Sequence, residues 1–389
     1  MTVPPAAVLA VDGGNSKTDV ALVARDGALL AAVRGPGSNA HMLGLDRAMG
    51  ILAELAAAAA RQAGLAAGGA PVAEHVSACL AGADLAEDEE RLGAALHAQR
   101  HALTCTVVND TFAILRAGLV PGLIGTGAGQ QAGGRAAGGR EASEREASER
   151  EASERAAGQG GARVRHWGVA VTCGAGINCV AVAPDGREAR FPALGELTGD
   201  WGGGEGLGRE ALWWAVRDED GRGPRTMLRD AVAAHFGVLA ASDVGIGIHY
   251  GKIPADELLG LAPVLLRTAA RGDEVARKVV ARLADEVVTM AVAMIRRLGL
   301  TRHAVPVILG GGLLAARDPM LTDGIALGLG ARAPQAFLRI VDVPAVVGAA
   351  LLGLDHVGAP AGAEERLRAA YLGQQPSTSM RDLHPQRET

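Results

Sequence analysis

Two carboxylates that follow apolar runs are the first residues of this chain that could carry out chemistry. Asp12 follows Val8–Val11, and Asp110 comes two residues after Thr104–Val108 in the segment VVNDTF. A carboxylate where a first strand meets a loop can hold Mg²⁺, usually through water, and this setting favours that role over a simple turn. At the carboxyl edge of a sheet, Asp110 could accept a hydroxyl proton, or it could cap the helix that begins near Thr111.

A glycine-rich hairpin occurs twice: VDGGNSKTDVALVARDG begins at Val11, and VTCGAGINCVAVAPDG begins at Val171. Each reads as an apolar strand, a glycine loop with an asparagine, a second apolar strand and an Asp-Gly turn. Glycines let backbone N–H groups converge on an anion, so two such tips across a cleft could hold one polyphosphate. The side chains of Lys17 and Thr18 could add a charge and a hydroxyl, or could face solvent. The residues predicted to hold the phosphates are Gly13, Gly14, Asn15, Lys17, Thr18, Gly174, Ala175 and Gly176.

Two further segments offer places where a ligand could bind. Asp200 precedes a glycine cluster and a helix in LTGDWGGGEGLGREAL, which suits a carboxylate that fixes a polar ligand. Gly310, Gly311 and Gly312 join an apolar strand to a helix, so a flat ring or a phosphate could approach the backbone there. Similar turns also serve plain helix packing, so these glycines alone are a weak nucleotide signal.

The predicted elements place these residues on an α/β scaffold. Strands at Val8–Val11, Thr18–Ala24 and Leu29–Val33 precede a helix over Leu45–Gln62 and then alternating strands and helices. A three-stranded meander followed by alternating elements is the order of a ribonuclease-H-like domain. In the second half, apolar residues at helical spacing predict a long helix over about Asp273–Leu298.

The region Gly122–Arg165 departs from this alternation. It is rich in Gly and Ala and contains EASER three times between Glu141 and Arg155. Because this repeat has no apolar face, we expect a solvated insertion, with a partner-binding arm as the alternative. Gly125–Gly129 also looks like a phosphate loop, but no second hairpin strand follows it. We therefore prefer Gly174–Asn178 as the second phosphate loop and keep the earlier loop as a competitor.

Composition limits the classes of function. The net charge of −5 argues weakly against nonspecific nucleic-acid binding. The four cysteines form no CxxC pair or zinc signature, so buried thiols in a reducing compartment are expected. The sequence begins without a basic stretch followed by an apolar one, and no uncharged apolar stretch could span a bilayer. We therefore expect a cytoplasmic protein with no membrane and no nucleic-acid partner.

Together these motifs resemble the BadF/BadG/BcrA/BcrD ATPase family, especially its N-acetylglucosamine kinase branch. The likeness covers nearly the whole chain except Gly122–Arg165. DGGNSKT at Asp12–Thr18 is similar to the family's first phosphate motif, and CGAGIN at Cys173–Asn178 to its second, usually GTGSN. LGGGL at Leu309–Leu313 looks like the adenosine motif. The resemblance implies an α/β protein with two ribonuclease-H-like (actin-like ATPase) domains around a central nucleotide and sugar cleft.

The resemblance also implies roles for single residues. It implies ATP and Mg²⁺, with the metal near Asp12, and Asp110 as the general base that takes the proton of a sugar hydroxyl. Asp200 matches the Asp of the family's GDEGS segment, which contacts sugar hydroxyls in the kinases, and Asn39 matches a sugar-contacting Asn. The full predicted substrate-binding set is Asn39, Asn109, Asp110, Asn178 and Asp200.

The sequence departs from the family pattern at two places. Gly174–Gly176 replaces the usual Thr-Gly-Ser of the second loop, which removes two hydroxyls, and Trp201 replaces the Glu that follows the matched Asp. Both changes leave the identity of the sugar more open than phosphoryl transfer itself. One alternative is therefore a regulator that senses sugar without turnover. Another is an ATPase activator of a dehydratase-type enzyme, with an iron–sulfur cluster held by cysteines.

We predict an N-terminal domain at residues 1–118, completed by a closing helix at 344–356. A C-terminal domain at 119–343 would carry the insertion at 122–165. The expected function is ATP-dependent phosphorylation of an amino sugar, with N-acetylglucosamine favoured. The expected partners are ATP and that sugar, and association into a homodimer is left open.

Overall fold

The computed structural model describes residues 6–65, 71–120 and 166–373. The predicted insertion at 122–165 and the competing loop Gly125–Gly129 lie outside the described residues. The described residues form two five-stranded sheets with helices packed against them.

The first sheet has five strands: β1 (Ala6–Gly13), β2 (Lys17–Val23), β3 (Leu29–Pro36), β4 (Ala73–Leu80) and β5 (Ala102–Asn109). Their order is β3-β2-β1-β4-β5. β1 pairs antiparallel with β2 and parallel with β4, and β4 pairs parallel with β5. The run AAVLAV in β1 is apolar and buried throughout, as a central strand that is covered on both faces requires. The helices of this part are α1 (Ala40–Leu43), α2 (Leu45–Gln62), α3 (Ala86–Ala98) and α4 (Asp110–Gly118).

The second sheet repeats this arrangement with β6 (Gly168–Cys173), β7 (Ile177–Val182), β8 (Glu188–Arg190), β9 (Pro306–Gly310) and β10 (Phe337–Ile340). Their order is β10-β9-β6-β7-β8. β6 pairs antiparallel with β7 and parallel with β9, just as β1 pairs with β2 and β4. The equal order and directions confirm the predicted α/β fold with two ribonuclease-H-like sheets. Each contains the glycine-tipped hairpin that the sequence predicted.

The helices that follow the second hairpin are α5 (Gly203–Glu219), α6 (Leu228–Phe236), α7 (Ala241–His249), α8 (Leu261–Ala270), α9 (Glu274–Arg297), α10 (Gly312–Ala315) and α11 (Pro319–Arg332). α9 confirms the predicted long helix and packs its apolar face against β6, β7, α8 and α11. Asp273 caps it by accepting a hydrogen bond from the Ala276 N–H. α7 was missed by the sequence reading, and a 3₁₀ turn at Ala255–Gly260 leads into α8.

Two helices lie between the sheets: α4 and α12 (Ala345–His356). α12 packs on β1, β4 and α4, while α4 also contacts β6, β7 and β9 of the second sheet. The two helices can approach closely because Gly348 has no side chain, since a Cβ there would lie 1.9 Å from the Ala113 carbonyl oxygen. The chain then ends its described part with α13 (Ala363–Gly373). The predicted domain boundaries remain a prediction.

Across the described ranges, no single helix is both long and apolar enough to cross a bilayer. Among the described residues, α6 and α7 reach such a length together, but the two helices are bent by 50° to each other.

Candidate active site

The ends of the central strands of both sheets open onto one cleft of about 620 Å³, a size usual for small-molecule sites. In the first sheet Gly13, Leu80 and Asn109 are register partners, so β1, β4 and β5 end at the same level. In the second sheet Thr172 is level with Gly310. The predicted site residues that line the cleft are Asp12, Gly14, Asn15, Lys17, Asn39, Asn109, Asp110, Gly174, Ala175, Gly176, Asn178, Gly310, Gly311 and Gly312.

Three residues of the predicted set do not line this cleft. Gly13 lies under the first hairpin, where a Cβ would come within 2.6 Å of Leu80 Cδ2. Thr18 is fully buried, and its hydroxyl donates to Ser38 Oγ at 2.8 Å. Asp200 lines a neighbouring depression instead and accepts a hydrogen bond from the Thr198 hydroxyl at 2.5 Å. Gly13 and Thr18 therefore support the first tip from below.

The tip of the first hairpin is held in shape by the chain behind it. The Gly14 N–H donates to the Lys17 carbonyl at 2.9 Å, and the Ser38 N–H donates to the Gly14 carbonyl at 3.1 Å. Asn39 Nδ2 donates to Asn15 Oδ1 at 2.8 Å, which joins the tip to the start of α1. These bonds fix the backbone direction of the tip before any ligand binds.

The tip of the second hairpin is tied to the first turn of α5. Cys173 pairs with Ile177, so residues 174–176 form the turn between β6 and β7. The N–H groups of Gly204 and Glu205 donate to the carbonyls of Gly174 and Ala175, at 2.8 and 2.9 Å. These N–H groups belong to the first turn of a helix, which has no internal partners for them. These hydrogen bonds therefore satisfy two N–H groups at the start of the helix and also fix the position of the tip.

Three glycines at the cleft have no structural reason to lack a side chain. Added Cβ atoms at Gly174, Gly176 and Gly312 would meet nothing within 4 Å, and none of the three has a positive φ. By contrast, Gly311 has a φ of +85°, and a Cβ there would lie 2.5 Å from Cys173. The space above the three open glycines is available to a ligand that must approach the backbone.

We expect Gly176→Ala to leave the protein folded but to weaken nucleotide binding by about tenfold or more, because the new methyl group occupies that space. The matched control is Gly50→Ala in α2, which also has no heavy atom within 4 Å of its Cβ position. Titration with an ATP analogue and thermal unfolding of both variants check this. Equal nucleotide affinity in the two variants would contradict a phosphate role for the second tip.

Three half-buried carboxylates, Asp12, Asp84 and Asp110, line the cleft together. Burial, with the Asp110 charge, raises the pKa of Asp12 to about 7 and that of Asp84 to about 7. Burial raises the pKa of Asp110 to about 6, against hydrogen bonds from Thr111. Such a cluster suits a partner that brings positive charge or donates hydrogen bonds. Asp84 was missed by the sequence reading.

A magnesium ion fits beside Asp12 only with additional oxygen ligands from elsewhere. Within residues 6–65, 71–120 and 166–373, no group of three or more His, Cys, Asp or Glu side chains is arranged to hold a metal. Mg²⁺ commonly keeps several waters and binds one or two carboxylates together with substrate phosphates. The single carboxylate of Asp12 at the mouth of two glycine tips fits that pattern.

A chain of side-chain hydrogen bonds crosses the cleft floor between the sheets. Asn178 Nδ2 donates to Asn109 Oδ1 at 3.2 Å, and Asn109 Nδ2 donates to Asp84 Oδ1 at 2.7 Å. Asn109 Oδ1 also caps α4 by accepting the Thr111 N–H at 2.9 Å. The cap is therefore Asn109, not Asp110, so the Asp110 carboxylate is not needed for that task. The predicted sugar contacts of Asn109 and Asn178 remain predictions, and each side chain already has a protein partner.

A model of the BadF/BadG/BcrA/BcrD ATPase family matches residues 9–353 of the chain. The chain belongs to this family. The match begins in β1 and ends in α12, so it includes both hairpins and the strand-to-helix glycines that suggested the resemblance.

Several proteins of assigned activity or structure are similar to this family member. The chain is 24% identical over 310 residues to the N-acetylmuramic acid/N-acetylglucosamine kinase of Clostridium acetobutylicum. The aligned part covers 79% of this chain and 85% of that enzyme. The chain is also 24% identical over 197 residues to the N-acetyl-D-glucosamine kinase of Dictyostelium discoideum, covering 50% of this chain and 61% of that enzyme. A solved structure of a putative N-acetylglucosamine kinase from Chromobacterium violaceum superposes with a TM-score of 0.62 at 23% identity, covering 89% of this chain and 98% of that one. At this identity the structural likeness shows the fold alone.

Proposed function

We propose that the protein is an ATP-dependent kinase that transfers the γ-phosphate of ATP to a hydroxyl of an amino sugar, with N-acetylglucosamine as the first candidate. The observation that carries the proposal is that both glycine tips and Asp110 line the same cleft. One relative is named an N-acetyl-D-glucosamine kinase and the other an N-acetylmuramic acid/N-acetylglucosamine kinase, so N-acetylglucosamine is the acceptor common to both names, which supports this choice.

In this proposal the triphosphate lies between the two hairpin tips. Backbone N–H groups of the tips donate to its oxygens, and the side chain of Lys17, 54% exposed at the mouth, adds positive charge. The adenosine lies against Gly310–Gly312 and the apolar residues Val341 and Val343, which line the same end of the cleft. Mg²⁺ beside Asp12 would supply charge that neutralises the phosphate oxygens.

Asp110 is proposed as the general base. The sugar oxygen forms a bond to the γ-phosphorus while the bond from that phosphorus to the bridging oxygen of ADP breaks. The hydroxyl proton passes to the Asp110 carboxylate, and the products are a sugar phosphate and ADP. Its raised pKa of about 6 leaves the carboxylate mostly ionised at neutral pH and more basic than an exposed aspartate.

The acceptor sugar is proposed to lie between Asn39, Asp84 and Asp200. Asn39 and Asp84 line the cleft from the first sheet. Asp200 comes from the second-sheet side and is close enough to help raise the pKa of Asp84. Asn109 is hydrogen-bonded to both Asp84 and Asn178. It would therefore also position the Asp84 carboxylate relative to the second tip.

We also propose the division of the chain into 1–118 with 344–356, and 119–343. The packing of α12 on β1 and β4 supports its assignment to the first unit. The two units would close around the substrates, as lids and domains commonly do in kinases.

An ATPase activator with an iron–sulfur cluster is not favoured by the described cysteines. Cluster ligands are thiolates, and at a dimer interface they must reach the surface. Cys79, Cys173 and Cys179 are fully buried, and burial raises the pKa of the Cys173 thiol to about 12 and those of the other two well above the usual range.

A panel of sugars with ATP and Mg²⁺ tests the proposed function. We expect N-acetylglucosamine to stimulate ADP release by about tenfold or more over the rate without sugar, since the acceptor hydroxyl outcompetes water in a closed cleft. Binding of the sugar is measured in parallel by calorimetry. Sugar binding without stimulated ADP release would support the sensor, and an absence of both for every amino sugar would refute the proposal.

A further inference from the structure

Beside the cleft lies a second depression of about 390 Å³, here called the aromatic depression. It shares Gly176, Ile177 and Ala193 with the cleft, so the two spaces are neighbours. Its remaining wall comes from the segment before α5 and the first turns of that helix. Those residues are Gly195, Glu196, Asp200, Trp201, Gly202, Glu205, Gly206, Arg209, Glu210 and Trp213.

Two of the four tryptophans of the chain line this depression. Trp201 is the residue that departs from the family pattern next to Asp200. The guanidinium carbon of Arg282 lies 3.7 Å from the centroid of its ring, which fixes the orientation of the indole. Trp213 stands 58% exposed on α5. An indole offers a flat apolar face, on which the C–H face of a sugar ring can pack.

Gly206 leaves the depression open, although the packing of the fold does not require a glycine at this position. α5 contains four glycines, and three of them are required by close packing: Cβ atoms at Gly203 and Gly208 would lie within 2.5 Å of backbone, and one at Gly204 would lie 3.2 Å from Leu259. A Cβ at Gly206 would meet nothing within 4 Å, and its φ is not positive. A glycine within a helix costs about 1 kcal/mol relative to alanine, so this one lowers stability with no packing return.

The charge of the aromatic depression selects among possible occupants. Glu196, Asp200, Glu205 and Glu210 line it with the guanidinium of Arg209, and Arg282, which stacks on Trp201, pairs with Glu210 at 3.2 Å. Arg209 already donates to Glu196 at 3.3 Å and to Glu205 at 2.5 Å. A carboxylate on the ligand would be repelled, whereas hydroxyl, acetamide and ammonium groups can donate to these oxygens.

We propose that the aromatic depression is a subsite for the second ring of a carboxylate-free amino-sugar disaccharide, the first ring of which is the phosphate acceptor. This inference rests on the proposed kinase function and narrows its substrate class. The first ring lies beside Asp110 and Asp200, and the second packs between Trp201 and Trp213 over Gly206.

The test compares N-acetylglucosamine, its β-1,4-linked disaccharide and N-acetylmuramic acid, which carries a carboxylate. Wild-type kcat/KM is expected to be at least as high for the disaccharide as for the monosaccharide, and lower by about tenfold or more for the acid. Gly206→Leu fills the depression, so we expect it to lower kcat/KM for the disaccharide by about tenfold or more and for the monosaccharide by less than about twofold. Gly50→Leu, on α2 with an equally open Cβ position, should leave all three unchanged.

Tryptophan fluorescence separates this inference from the kinase function itself. The disaccharide is expected to shift the emission of the wild-type protein, and to shift it much less in Trp213→Phe. Disaccharide binding without turnover of either sugar would overturn the kinase and keep the subsite, whereas turnover of the monosaccharide alone would overturn the claim that the first ring of the disaccharide is the acceptor. Phosphorylation of N-acetylglucosamine with neither binding nor use of the disaccharide would overturn the subsite, as would an equal loss for both sugars in Gly206→Leu.

Discussion

Asp110→Asn is expected to lower kcat by about 10³-fold while it changes the affinity for ATP by less than about threefold. The asparagine keeps the size of the side chain and much of its hydrogen bonding, but it cannot take the proton of the attacking hydroxyl. Because burial raises the pKa of Asp110 to about 6, wild-type kcat/KM for the sugar should also fall below about pH 6. Steady-state kinetics and nucleotide titration measure the two quantities separately.

Asp84→Asn is the matched control, because it removes a second half-buried carboxylate from the same cleft. We expect it to raise KM for the sugar with a smaller change in kcat, since Asp84 is proposed to contact or position the acceptor. An unchanged turnover in Asp110→Asn would refute the general base. A comparable loss of ATP affinity would instead indicate that Asp110 holds the metal or the phosphates.

Asp12→Asn is expected to stabilise the ligand-free protein and to weaken magnesium–nucleotide binding by about tenfold or more. The pKa of Asp12 is raised in the folded protein from 3.8 to about 7, so its ionisation on folding is unfavourable. This penalty is absent well below about pH 4, grows as the pH rises towards the folded pKa, and is complete above it. It amounts to at most about 4 kcal/mol.

Thermal unfolding at two pH values measures both effects of Asp12→Asn, the gain in stability without ligand and the loss of magnesium–nucleotide binding. At about pH 8 the variant should unfold at least about 2 °C higher than the wild type, and at about pH 5 the difference should be much smaller. Addition of Mg²⁺ with an ATP analogue should raise the midpoint of the wild type far more than that of the variant. A variant that is less stable than the wild type at about pH 8 would contradict the claim that the ionised Asp12 carboxylate destabilises the ligand-free protein.

Much of the scaffold could be predicted from the sequence because its signals are local. The two hairpins were found from apolar runs, glycine loops and Asp-Gly turns that lie within short stretches of chain. The helix predicted over Asp273–Leu298 differs from α9 by one residue at each end, because a long apolar face and a capping aspartate define it. The missed helix α7 is short, and its sequence is too short to show several turns of apolar residues at helical spacing.

The site residues that the sequence did not predict correctly depend on contacts between distant parts of the chain. Asp84 lies four residues after the end of β4, and only the pairing of β4 between β1 and β5 brings it beside Asp110. A rule that collects carboxylates after every parallel strand would have found it. Thr18 looked like a phosphate ligand, but the alternation of side chains along β2 turns its hydroxyl inward to Ser38. Local patterns do not show which side of a strand faces a cleft.

A crystal structure with Mg²⁺, a non-hydrolysable ATP analogue and an amino sugar would test most directly whether two backbone loops share one nucleotide. We predict that the triphosphate accepts hydrogen bonds from the Gly14–Ser16 loop and from the Gly174–Gly176 loop, with the acceptor hydroxyl within hydrogen-bond distance of Asp110. A triphosphate that touches only one of these loops, or that lies outside the cleft, would contradict it.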